Sequence, residues 1–224
     1  MRLIFLLATC ALLAAPVVAR PPRRNVDALK TMNGFGTCVG RHQADAIRFM
    51  NTVPESPEEL KQALRISTSS CLSNGELRFR PSLLRGAVAE VLFKSHEGTP
   101  RRSTAQAAFV APSAEALSAA TVGQRAAVAL VLFGQCVASR DTPGVTALLH
   151  TPVESSAERS AFKALDDAMT RCSTVNFKID RFQMRGYLAE GAYRNAVAGE
   201  PDSPAARDRV GSPAGGSVKA PGRS

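Results

Sequence analysis

Two short blocks carry the polar residues whose spacing invites chemistry. Leu84-Arg85-Gly86-Ala87-Val88-Ala89-Glu90 is matched by Met184-Arg185-Gly186-Tyr187-Leu188-Ala189-Glu190. Each sets an arginine five residues before a glutamate. On a helix that offset turns the two side chains about 140° apart, so neither block closes an ion pair on itself. Two uses follow. In one, each charge reaches another helix, and the arginine and glutamate anchor the last helix of each copy to its hairpin through salt bridges or carbonyl contacts. In the other, Glu90 and Glu190 meet across a cleft, where paired carboxylates perform acid–base work of the kind used in glycoside hydrolysis. The first is the expected role of Arg85, Glu90, Arg185 and Glu190: structural ion-pair or ligand-contact positions. No catalytic residue is assigned, because nothing beside the glutamates would position a substrate.

The other reactive side chains are few. His42, His96 and His150 do not recur at matching positions, and His96 falls in a stretch that reads as linker. No H-E-x-x-H, G-x-S-x-G or P-loop occurs, so no cofactor or metal is expected. Five cysteines are present, with no C-x-x-C, which argues against a zinc ribbon or a thioredoxin-type redox site.

The N-terminus explains the odd cysteine. Met1-Arg2, an apolar run from Leu3 to Ala15 and the small residues through Ala19 read as a secretory signal peptide over residues 1–19, cut after Ala19. That run is shorter than the ~20 residues a bilayer span requires. No second run reads as a span, so the mature chain is expected to be soluble and periplasmic or secreted. Cleavage removes Cys10 and leaves Cys38, Cys71, Cys136 and Cys172, an even number in an exported protein, hence two disulfides.

The chain is internally similar. Phe35-Gly36-Thr37-Cys38-Val39 matches Phe133-Gly134-Gln135-Cys136-Val137, and the two Arg-Gly blocks are followed by Phe93-Lys94 and Tyr193-Arg194. The cysteines of each copy are 33 and 36 residues apart. The expected organisation is a helical repeat over 20–94, a linker over 95–121, a second repeat over 122–194 and a disordered Gly/Pro/Ser-rich tail over 195–224.

Each copy reads as all-α: a helical hairpin plus a closing helix. Ser56-Pro57-Glu58-Glu59 and Ser155-Ser156-Ala157-Glu158 are capping boxes. Phe162, Leu165, Met169 and Cys172 form one apolar stripe, read as one helix. The closing helices start near Pro81 and after Asp180, and a short helix is expected near Ala114–Ala120. Glu76–Arg80 and Val175–Ile179 alternate weakly and read as extended linkers. Asn74-Gly75 is a helix stop. Gly86 and Gly186, inside helices, point to a close backbone crossing. If each hairpin reverses near Pro54 or Glu154, its two cysteines lie at nearly equal distances along the arms. That favours Cys38–Cys71 and Cys136–Cys172, one bridge per unit.

These blocks are what the sequence shares with other proteins. The F-G-x-C-V opening, the second cysteine and the L-R-G-x-x-A-E closing block resemble a group of exported alphaproteobacterial proteins. Met184 stands where the block has Leu. The resemblance covers both repeats but not the linker or tail. It implies an envelope location and a helical, cysteine-paired build, and no activity.

Composition completes the reading. Of 224 residues, 45% are hydrophobic and 21% charged, which suits a folded helical body. The formal charge is +9, but it is spread thinly, with a local excess in Arg20, Arg23, Arg24 and Lys30. A nucleic-acid binder would gather it on one folded face, so no nucleic acid is expected. The expectation is a non-enzymatic periplasmic binding or structural module whose partner is an envelope protein, a peptide or a lipid. The alternative is a small hydrolase using Glu90 and Glu190.

Overall fold

A computed structural model of the chain describes residues 26–67, 71, 79–97, 112–173 and 178–198. The signal peptide, the centre of the linker, Asn74-Gly75, most of Glu76–Arg80, the start of Val175–Ile179 and nearly all of the tail lie outside the described residues.

The architecture is all-α, with no strand among the described residues. The first half contains α1 (Val26–Arg41), α2 (Gln43–Met50), α3 (Pro57–Ser67) and α4 (Pro81–His96). A short α5 (Ala114–Ala119) buries none of its residues. The second half contains α6 (Val122–Arg140), α7 (Thr142–Leu149), α8 (Ser156–Ala164), α9 (Asp166–Cys172) and α10 (Arg181–Ala198).

Local sequence sets most of these boundaries. Thr121 and Gln124 form a reciprocal capping box at the start of α6. Asp141 ends α6 and caps α7 by accepting from the Gly144 amide at 2.8 Å. Asp180 accepts from the Gln183 amide at 2.9 Å, as expected of an N-cap. Three expectations need correction. The stripe through Phe162 and Cys172 is not one helix: it breaks at Leu165, whose amide donates to both Ala161 and Phe162 in a tightened turn and whose side chain is fully buried. Ser95 and His96 belong to α4 rather than to a linker. α10 runs on to Ala198, beyond the expected end of the second unit.

Four long helices lie in the order α1, α4, α10, α6, with the short helices packed around them. The central pair is buried on every side: α4 buries every residue from Leu84 to Glu90, and α10 every residue from Leu188 to Arg194. Such helices have no polar face to lose to water. Small residues permit the approach. Gly86 and Gly186 face each other where α4 crosses α10, and a Cβ on Gly186 would lie 3.0 Å from the Gly86 Cα. One apolar core runs from Met32 and Phe35 in α1 through Leu84, Val88 and Leu148 to Leu188 and Tyr193 in α10, so the halves share it.

The expected bridges are present. Cys38–Cys71 and Cys136–Cys172 join Cα atoms 5.6 and 5.8 Å apart. Closing loops of this length stabilises the fold by about 4 kcal/mol each in the chain-entropy view. α6 corrects another expectation: at 19 residues it is long and apolar enough to cross a membrane. It nonetheless packs against α10, α9 and α7, with Val131 and Val137 wholly buried, and a core helix passes the same test.

Two glycine substitutions of opposite sign test the packing. Gly34→Ala adds a Cβ into open space within α1, and should raise stability by about 0.5–1 kcal/mol. Gly86→Ala drives a Cβ into the Gly186 backbone, and should lower stability by about 1–3 kcal/mol despite the better helix propensity. Urea midpoints of the two variants measure both.

Candidate functional site

The repeated arginines lie at the centre of the molecule. Arg85 is 1% exposed and Arg185 2%. A buried guanidinium brings five N–H donors that must find acceptors. Arg85 donates from Nη2 to the carbonyls of Met50 (2.7 Å) and Thr52 (3.0 Å), and from Nη1 to the Phe49 carbonyl (3.3 Å) and the Thr52 hydroxyl (3.2 Å). Arg185 donates from Nη2 to the carbonyls of Leu149 (2.8 Å) and Thr151 (3.0 Å), and from Nη1 to the Leu148 carbonyl (3.1 Å) and the Thr151 hydroxyl (3.2 Å). Each therefore plugs the C-terminal end of a short helix, where carbonyls lack helical partners.

Two carboxylates complete each arginine. One comes from the same half's hairpin: Arg85 Nη1 is 3.1 Å from Glu59 and Arg185 Nη1 is 3.0 Å from Glu158. The other comes from the opposite half. Arg85 Nε donates to both oxygens of Glu190, at 3.0 and 2.9 Å. Arg185 donates from Nε and Nη2 to the two oxygens of Glu90, both at 2.8 Å. The arginine of each central helix is thus held by the glutamate of the other. The close crossing at Gly86 and Gly186 makes this exchange possible.

The anchoring expectation is right for the arginines and incomplete for the glutamates. Glu90 and Glu190 do not tether their helix to its own hairpin; they tie the halves together. Nor do they face each other across a cleft, as the hydrolase reading required, because each faces a guanidinium. Their remaining acceptor capacity is also used. Glu190 accepts from Arg194 Nε at 2.8 Å, and Glu90 accepts from Lys94 Nζ at 2.7 Å. Arg194 is 2% exposed and reaches the Met50 carbonyl at 3.1 Å.

Four members of this network were not assigned to it from sequence. Glu59 and Glu158 stood out only as capping residues, and Lys94 and Arg194 only as basic residues after each block. The available signal was the i,i+4 spacing of Glu90–Lys94 and Glu190–Arg194. The caps also differ from expectation. Ser56 and Ser155 do accept from the amides of Glu59 and Glu158, at 3.1 and 3.0 Å. But the glutamates reach past the cap to the amides of Glu55 (2.7 Å) and Glu154 (2.9 Å). Those two residues adopt φ of 59° and 60°, a left-handed conformation rare outside glycine, and each is pinned by a buried carboxylate.

Burial and pairing pull the carboxyls in different directions. Burial pushes Glu90 up, but the hydrogen bonds and charge of Arg185, with Lys94 behind them, outweigh it and hold the carboxyl below the usual range. At Glu59 burial prevails over Arg85 and the Glu55 amide, and the carboxyl lies above that range. At Arg194 burial outweighs Glu190 and lowers the guanidinium.

The histidines and cysteines sit apart from this centre. His96 ends α4 rather than lying in a linker; its Nδ1 is 2.7 Å from the Leu92 carbonyl and its ring meets Tyr193 edge-on. His150 approaches Glu97 at 2.8 Å on the surface. Cys38, His42 and Cys71 have ligand atoms within 4.8 Å of one another, as a metal site would require, but the two sulfurs are joined as a disulfide. The surface also carries a groove of about 300 Å³ between α8–α9 and the start of α10. Phe162, Met169, Ile179 and Met184 line it, and Lys163, Asp166, Asp180 and Arg181 surround them.

Comparison with protein-family models, with curated proteins and with solved structures found no match to this chain.

Removing one carboxylate from the centre leaves buried positive charge without its partner. Glu190→Ala should therefore cost about 3–5 kcal/mol, read as a fall in the urea midpoint. The acid response should separate two other glutamates. Glu90, held low, contributes stability that is complete above the unfolded carboxyl range near ~4.3 and is lost as pH falls toward its depressed folded value. Glu59, held high, has the opposite sign, because the fold binds its proton more tightly and gains as pH falls through that raised value. In urea melts from about pH 7 to about pH 3, Glu90→Gln should flatten the acid loss of stability and Glu59→Gln should steepen it.

Proposed function

We propose that this chain is an exported, non-enzymatic periplasmic module of two homologous helical units, and that it binds its partner through the groove of the second unit. One observation carries the reading. The repeated arginines and glutamates are spent on the interior, whereas Phe162, Met169, Ile179 and Met184 line an opening at the surface. A groove of about 300 Å³ with an apolar lining and a mixed charged rim suits an apolar side chain of a peptide or a partner helix. The two methionines supply flexible, polarizable walls that adapt to more than one shape.

Two intramolecular disulfides suit an oxidising compartment outside the cytosol. The leader expected over residues 1–19 and the resemblance of the repeated blocks to exported alphaproteobacterial proteins support the envelope as that compartment. The hydrolase alternative loses its support, because each carboxylate is held by two cations rather than facing the other.

A photo-crosslinking residue tests this in intact cells. Placed at Lys163, on the rim, it should capture one partner that the same residue at Arg125, on α6, does not. Met169→Asp should abolish that adduct. Equal capture from both positions, or no discrete adduct from Lys163, would count decisively against the groove.

A further inference from the structure

The two disulfides are not chemically equivalent. Both join an outer long helix to the far arm of a hairpin, but their neighbours differ. At the junction between α6 and α7 stands Asp141, whose carboxylate is committed to capping α7. At the matching junction between α1 and α2 stands His42. It makes no side-chain cap for α2, and no hydrogen bond to its ring is found among the described residues. Instead a ring nitrogen lies within 4.8 Å of both Cys38 Sγ and Cys71 Sγ. His42 is exposed, and Cys38, Cys71 and Cys136 are all partly so; the bridges differ at the second cysteine, where Cys71 is partly exposed and Cys172 is buried. The first half has given up a helix cap and gained an imidazole beside its disulfide.

We infer that Cys38–Cys71 is an exchange site for external thiols, with His42 as its proton donor, while Cys136–Cys172 is a structural staple. Disulfide exchange speeds up when the attacked bond is accessible and when the departing sulfur is stabilised as a thiolate. His42 stands at the bend just past the end of α1, four residues after Cys38, and that bend brings its ring nitrogen within 4.8 Å of the sulfur. A thiolate of an incoming dithiol attacks Cys71 Sγ. The Cys71–Cys38 bond breaks, and its electron pair leaves on Cys38 Sγ, which takes a proton from the His42 imidazolium. The dithiol's second sulfur, as a thiolate, then attacks the mixed disulfide and expels Cys71 as a thiolate. The protein bond is reduced by two electrons, and the dithiol is oxidised to its own disulfide. This site is separate from the groove proposed for binding, and its failure would leave that reading untouched.

The experiment uses the full mature chain, native and folded, with dithiothreitol as the dithiol. Samples are alkylated over time and the peptides weighed. Cys38–Cys71 should open at least tenfold faster than Cys136–Cys172. His42→Ala and His42→Asn should each slow the first bond by roughly tenfold and leave the second unchanged; that factor lies below the usual range for positioned acid–base groups because the imidazole is exposed. The two variants differ in capping, since Asn can cap α2 and Ala cannot. Slowing by Asn alone would mean that helix stability, not the imidazole, sets the rate, and would overturn the proposal. Both bonds opening at one rate, or unchanged opening in both variants, would overturn it as well.

Discussion

The structure depends on a reciprocal exchange of charge between two buried helices. α4 offers Arg85 and Glu90, α10 offers Arg185 and Glu190, and each arginine is neutralised by the other helix's glutamate. Taking a guanidinium out of water costs several kcal/mol unless every donor is met. Here each is met by helix-end carbonyls on one side and by carboxylates on the other. The pairs are too deep to be screened by salt and too well bonded to be exchanged for water. Neither half can satisfy its own arginine, so the halves are bound to fold against each other.

This requirement propagates outward. The helices must approach within backbone contact, so the crossing carries Gly86 and Gly186. The arginines must find carbonyls, so α2 and α7 end facing α4 and α10. The hairpins must supply a second carboxylate, so Glu59 and Glu158 serve two masters, one oxygen to the arginine and the other to a left-handed residue at the turn. Helix capping, turn conformation and core electrostatics are therefore one connected device. The disulfides act farther out, tying α1 and α6 to the ends of the hairpins.

What is left for function is what this device does not consume. The charges of the centre are paired with one another, and its polar groups are buried. The surface between α8–α9 and α10 retains an apolar opening, and the junction between α1 and α2 retains an imidazole without a structural task. The second of these differs between the halves. The two arginine sockets use the same kinds of partner, helix-end carbonyls, a threonine hydroxyl and two glutamates, whereas His42 and Asp141 at the corresponding junctions differ in kind.

Much of the fold was legible because its signals are local. Helix starts at Ser56, Ser155 and Asp180 follow from short-range hydrogen bonding, the start at Pro81 from proline's fixed φ at the first helical position, and the cysteine pairing from distance along a hairpin. The glycine crossing was also legible, because glycine inside a buried helix has few other uses. The break at Leu165 was not, since an unbroken apolar stripe gives no sign of a tightened turn. The site was half legible: Arg85, Glu90, Arg185 and Glu190 stood out by repetition, but which charge meets which did not. The sequence by itself determined most helix starts, the bridges and the set of charges. Only the tertiary structure decided that the glutamates cross over to the opposite arginines, because a pairing between helices depends on their approach and rotation, which no spacing along one chain contains.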